Sequence, residues 1–426
     1  MASKEVKMDS GTAEGENFQM DLEKKTECKE EMKRNITQET KTNKKKKKNK
    51  RRNFLIPRFG CMKLDDEYPT IDEPAPDGSF SMHAVDRTPT HLVVMVNGII
   101  GSAQNWRYTA KKFIKAYPKD VIVHCSESNS SMLTFDGVDV MGKRLADEVL
   151  SVIEKHPNLQ KISFIGHSLG GLVARYAIAK LYKQDISSEV PEENGDSAVD
   201  GSKASVSEDK LRGKIAGLEP VNFITSATPH LGSRGHRQVP VFCGLYALEK
   251  FASRTSWLLG RTGKHLFLVD NDDGKPPLLL QMANDSEELK FISALQSFKR
   301  RVAYANIRFD HLVGWSTSSL RRRNELPKRR NLLKNDKYPH IVNEEIARAS
   351  NPQENTSEIK VNGLSISDME EAMLKGLTKM TWERVDVNFS GSKQRFFAHN
   401  TIQVQTYCTN SDGADVIRHT IDNFLL

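Results

Sequence analysis

The residues best placed to do chemistry are Gly166-His167-Ser168-Leu169-Gly170. A serine hydroxyl is a poor nucleophile alone, so its surroundings decide whether it reacts. Here the G-x-S-x-G follows Lys161-Ile-Ser-Phe-Ile165, which reads as a strand, and opens Leu169 to Tyr182, which reads as a helix. In that setting the glycines allow a turn so sharp that the hydroxyl projects above the sheet. The helix start also sets the Leu169 N–H beside the reacting carbonyl, with a favourable dipole behind it. The pentapeptide alone is a weak pattern; strand, turn and helix around it make Ser168 the expected nucleophile.

Such a serine needs a base, and the base needs an orienting acid. On α/β-hydrolase sheets the partners follow in the order Ser, Asp or Glu, His. Asp310 lies just past the strand Arg301-Val-Ala-Tyr-Ala-Asn-Ile307, where the acid belongs. His399 follows the alternating strand Thr381 to Phe389 and precedes the terminal helix, where the base belongs. His311 and His419 are rival bases, and Asp270, Asp272, Asp273 and Asp285 are rival acids placed in a helical stretch. The second oxyanion donor is expected from the turn Asn97-Gly98-Ile99-Ile100-Gly101-Ser102, with the N–H of Ile99 or Ile100 as the alternatives. No cofactor or metal is expected. Gly260-Arg-Thr-Gly263-Lys264 lacks the spacing of a phosphate loop, and Asp270 to Gly274 lacks that of a calcium loop.

The elements that must hold these residues are legible as periodicity. His91 to Asn97 is a continuous apolar run, the signature of a strand buried on both faces. Helical stretches are expected over Gln104–Ala116 and Gly137–His156, and further strands over Val121–Cys125 and Val221–Thr225. Strand alternating with helix means a mostly parallel sheet covered on both faces, an α/β class and here the α/β-hydrolase fold. Residues 1–88 read as a disordered tail and 89–426 as the catalytic domain, with polar insertions near 184–212 and 321–360. A helical cap is expected over 236–300. Its apolar segment near 240–259, with Trp257, Leu258 and Leu259, is either a lid or an ordinary covering helix.

The charge of +8 over 426 residues suggests nucleic acid until it is located. Residues 1–58 carry 17 Lys and Arg against 10 Asp and Glu, leaving the remainder almost neutral. The folded part therefore gives no nucleic-acid signal. Within the tail, Lys44 to Arg52 is a basic block that suits an import address, an anionic-membrane anchor or a solvated arm. No apolar run approaches a membrane span, and the five scattered cysteines write neither a disulfide framework nor a zinc site. The polar, acid-containing start is neither a secretory signal nor a transit peptide, so an intracellular setting is expected: cytoplasmic, nuclear or peripheral to a membrane.

Three segments carry a family resemblance: Val93 to Trp106, Phe164 to Tyr176 and Ala227-Thr-Pro-His-Leu-Gly-Ser233. They resemble the putative serine esterases of plants and fungi, a lipase-like α/β-hydrolase group more distantly similar to GPI inositol-deacylases. The resemblance spans about 88–426 outside the insertions. It implies a nucleophile at Ser168, fits Asp310 and His399 as partners, and implies action on acyl esters, with membrane glycerolipids as the substrate class. One departure is Asn97-Gly98, where lipases usually carry His-Gly; backbone donors survive that change. The same triad would serve a thioesterase, an acyltransferase or a peptidase. An idle adaptor recruited by its basic tail is the reading from another class, and the intact Ser, Asp, His order speaks against it.

Overall fold

Residues His91–Val96 form β1, and all six are buried. A strand buried on both faces must sit inside a sheet, and the computed structural model places it there. The structure describes residues 88–184, 213–233, 259–271, 274–349 and 365–426. All of these lie within the unit Gly60–Leu426, and Met1–Phe59 lies outside the described residues.

The other strands are β2 (Val121–Cys125), β3 (Lys161–His167), β4 (Tyr182–Lys183), β5 (Lys214–Ile215), β6 (Glu219–Ser226), β7 (Arg300–Asn306), β8 (Ile341–Ala347) and β9 (Trp382–Val387). Seven make one sheet in the order β2-β1-β3-β6-β7-β9-β8, and β4 with β5 makes a small antiparallel ribbon. Within the sheet every pairing is parallel except β8 on β9. Alternate residues of a strand point to opposite faces, so β1 feeds two cores. Leu92, Val94 and Val96 pack with Phe164, Leu172 and Phe223 beneath the helices Val138–Lys155 and Leu169–Leu181. Val93 and Met95 pack with Phe113, Ile165, Tyr304 and Phe424 on the other side. This is the α/β-hydrolase architecture, a mostly parallel sheet with helices on both faces.

The structure corrects part of the insertion expected over 321–360. Ile341–Ala347 is β8, the antiparallel edge strand. Its Ile341 and Val342 are buried while Glu344, Glu345 and Ile346 are exposed. Charges on an exposed edge blunt unwanted pairing, and they also erase the alternation that marks a strand in sequence. Arg321, the first residue of the polar insertion expected over 321–360, is buried on the Asp386 and Glu345 carboxylates at 2.8 and 2.7 Å. An unforeseen helix, Ile366–Leu377, starts at the Ser365 cap.

The described part of the expected cap holds three short helices, Gly260–Leu266, Leu278–Gln281 and Phe291–Gln296. Trp257, Leu258, the insertion from 185 to 212 and the Lys44–Arg52 block lie outside the described residues. Among the described residues Cys408 is disulfide-bonded, a pairing that the scattered cysteine spacing did not reveal. No helix among the described residues is long and apolar enough to cross a membrane.

Candidate active site

β3 ends at His167 and the next helix begins at Leu169, leaving Ser168 alone to turn the chain. It does so with φ 54° and ψ −126°. A non-glycine residue held there stores on the order of 1–3 kcal/mol and persists only where its surroundings enforce it. They do. The Ser168 N–H donates to the Ser226 carbonyl at 2.9 Å, tying the turn to β6. On the helix side, a Cβ at Gly170 would lie 2.2 Å from the Val96 carbonyl oxygen, so only glycine lets the helix approach β1. The Ser168 hydroxyl makes no hydrogen bond among the described residues, and the Leu169 N–H has no acceptor there.

The acid and base positions converge from two later strands. Asp310 follows β7 and His399 sits in the short helix Ala398–Thr401 after β9. His399 Nδ1–H donates to both Asp310 oxygens, at 3.1 and 3.0 Å. A carboxylate only accepts, so Nδ1 carries the proton and Nε2 keeps its lone pair. Burial pushes the Asp310 carboxyl up. The Coulombic pull of the His399 ring in its protonated form and hydrogen bonds from His399, Asn306 and the Val313 N–H outweigh it and hold the group below the ordinary Asp value. Asp310 is therefore ionised and already oriented.

The rival residues have other work. His419 is held by the Tyr304 hydroxyl at 2.8 Å and by Glu344 at 3.2 Å, and His311 is exposed. Asp270 accepts from the Leu278 N–H and Asp285 from the Ile292 N–H, both helix-start contacts. Asp272 and Asp273 lie outside the described residues.

Two residues of the site escape sequence reasoning. His167 Nε2–H donates to the His399 carbonyl at 2.7 Å, with the two rings 4.7 Å apart. Burial first, and the neighbouring His399 second, lower His167 to about 3, so it is a neutral fixed donor. Asn306 donates to Asp310 Oδ2 at 2.9 Å and to the Ala398 carbonyl at 3.2 Å, joining the acid to the chain beside His399. His167 was visible as the variable residue of the pentapeptide, and Asn306 as the last residue of β7, but nothing local revealed their partners.

The turn after β1 resolves one alternative. The Ile100 N–H donates to Thr134 Oγ1 at 2.9 Å, so Ile100 is corrected as an oxyanion donor. The Ile99 N–H has no acceptor among the described residues. Gly98 packs against the serine: a Cβ there would meet Ser168 Cβ at 2.9 Å and the His167 carbonyl at 3.2 Å. Among the described residues no group of three His, Cys, Asp or Glu side chains is disposed to hold a metal ion.

Comparison with known proteins adds the following. The protein named Putative lipase ROG1 of Saccharomyces cerevisiae is 30% identical over 234 residues, covering 54% of this chain and 28% of that protein. Putative lipase C4A8.10 of Schizosaccharomyces pombe is 26% identical over 241 residues, covering 54% and 26%. The chain thus spans under a third of either relative. Among solved structures, Aspergillus fumigatus lipase B is 15% identical with a TM-score of 0.30, covering 55% of this chain and 41% of that one. Phospholipase PlaB from Legionella pneumophila is 14% identical with a TM-score of 0.31, covering 52% and 38%. A family model matches residues 86–320, a stretch that includes Ser168 and Asp310 and ends before His399. With that match over more than half of its length, the chain belongs to the family described as "Putative serine esterase (DUF676)".

Proposed function

We propose that the chain is a serine hydrolase of carboxylic esters acting on membrane glycerolipids, with Ser168 as nucleophile, His399 as base and Asp310 as orienting acid. The observation that carries this reading is the ionised Asp310 holding His399 Nδ1–H, so that Nε2 is left as the basic atom. Ser168 attacks the ester carbonyl while His399 Nε2 takes its proton. The carbonyl oxygen becomes an oxyanion facing the Leu169 and Ile99 amides. One such donor is worth about 3 kcal/mol. The tetrahedral adduct collapses, the alcohol leaves with the proton from His399, and the acyl group stays on Ser168. Water then adds with His399 again as base, and the acid departs.

The choice of an ester rests on the family description, and that of a lipid on the names of the relatives. Fluorophosphonate labelling of the full chain tests the nucleophile before any substrate is chosen. Wild type should label once, at Ser168, and Ser168→Ala should not label. Labelling that survives in Ser168→Ala would remove the basis of the proposal.

A further inference from the structure

In a parallel sheet all strands end at one edge, so the turns after β1, β2, β7 and β9 surround the Ser168 turn after β3. That edge is unexpectedly apolar. Ile100 is 63% exposed and Met132 72% on the β1–β2 side, and Phe396 and Phe397 are 58% and 60% exposed on the β9 side. Ile100 and Phe396 are anchored. The Ile100 N–H is bound by Thr134, two residues from Met132. Phe396 packs edge-on against Phe309 at 5.6 Å, and the Arg395 guanidinium lies 4.8 Å from the Phe396 ring. Gln394 and Asp412 hold the loop from below through an N–H to Oε1 bond of 3.0 Å.

Cationic side chains predominate beside the two phenylalanines. Arg308, Lys393 and Arg395 make no ion pair among the described residues. Of the nearby carboxylates, Asp310 is held by His399, and Asp412, which keeps its negative charge, accepts from the Ser392 hydroxyl, so the three cations outnumber the two anions. Adjacent aromatics bracketed by cations match the composition of a segment that rests in a lipid headgroup layer. The geometry also discriminates between partners. The apolar groups stand on both sides of Ser168, so a protein covering both would seal the serine, whereas a bilayer would supply its substrate.

We infer that the sheet edge around Ser168 is a docking face for an anionic lipid surface. Phe396 and Phe397 enter the boundary between headgroups and acyl chains, while Arg308, Lys393 and Arg395 meet acidic headgroups. This rests on the reading of Ser168 as a lipid-ester nucleophile and adds the surface on which it works.

The test uses the full chain with Phe397→Trp, and with Ile346→Trp as control. Ile346 pairs with Glu383 at the start of β9, the end of the sheet opposite the Ser168 edge. The probe is phosphatidylcholine vesicles with phosphatidylserine and brominated acyl chains. The tryptophan at 397 should shift to shorter wavelength and be quenched, and that at 346 should do neither. Adding Arg308→Gln, Lys393→Gln and Arg395→Gln should raise the lipid needed by about tenfold or more. Phe396→Trp replaces the first probe if Phe397→Trp does not fold. No response at either probe, an equal response at 346, or a response indifferent to the three neutral substitutions would each overturn the inference. A shift that grows with protein concentration in the absence of lipid would assign the face to a second copy of the chain instead. Insertion that persists when fluorophosphonate fails to label would sink the hydrolase reading alone. Labelling without insertion would sink the docking face alone.

Discussion

Asp310→Asn removes one charge and almost no volume, and the structure says where the loss falls. Asp310 Oδ1 accepts from the Leu312 and Val313 N–H groups at 3.0 and 2.9 Å, and Oδ2 accepts from Asn306 Nδ2 at 2.9 Å. His399 Nδ1–H donates to both. An asparagine offers one oxygen and one NH2 where every surrounding group donates. With its oxygen on the two backbone amides, its NH2 faces His399 and Asn306. The imidazole relieves that clash by moving its proton to Nε2, the atom that must accept the serine proton. A wrong tautomer of this kind lowers kcat by about 10⁴, or roughly 5.5 kcal/mol of barrier. The assay is hydrolysis of a soluble short-chain ester beside a thermal melt of the same sample. If Asp310→Asn keeps more than about a tenth of wild-type kcat, measured against the effect this tautomer argument requires, the assignment of the pair is wrong.

Gly98→Ala places a methyl against Ser168 Cβ at 2.9 Å, so kcat on a soluble ester should drop by about 10² through displacement of the serine; wild-type turnover would show that the turn after β1 yields instead. Glu148 accepts from the Ser126 and Ser128 hydroxyls at 2.7 and 2.6 Å and from His124 at 3.0 Å. Burial raises its pKa, yet hydrogen bonding to His124 and its neighbours prevails and lowers it from 4.5 to about 2. Its stabilisation is therefore complete above the unfolded value and is lost as pH falls towards 2. Glu148→Gln should cost about 3 kcal/mol at neutral pH, with the gap to wild type closing in acid; a gap constant with pH in denaturant titrations would contradict this. Arg321→Met leaves the buried Asp386 without its cation, at a cost of about 3–5 kcal/mol. Urea unfolding with an unchanged midpoint would show the pair to be dispensable.

Local chemistry made much of this protein legible. The apolar run of β1 and the glycine-flanked serine at a strand-to-helix turn are short-range patterns, and short-range sterics and burial enforce them in any context. The placement of Asp310 and His399 after successive strands followed from the order in which such a sheet is wound. The remaining decisions needed the tertiary structure, because each depends on partners far apart in the chain. Position after the last strand favours His399 over His311 and His419 in the sequence, but only packing across β7 and β9 sets its Nδ1 on Asp310 and seats His419 on Tyr304. Ile99 and Ile100 are equivalent as sequence, and the Thr134 hydroxyl, 34 residues later, removes one of them. In sequence Arg321 only opens a polar insertion, and it is Asp386, arriving on β9, that buries it. Sequence determines which residues carry chemistry and the strands that deliver them; which lone pairs and N–H groups remain uncommitted is settled only when the sheet brings their partners together.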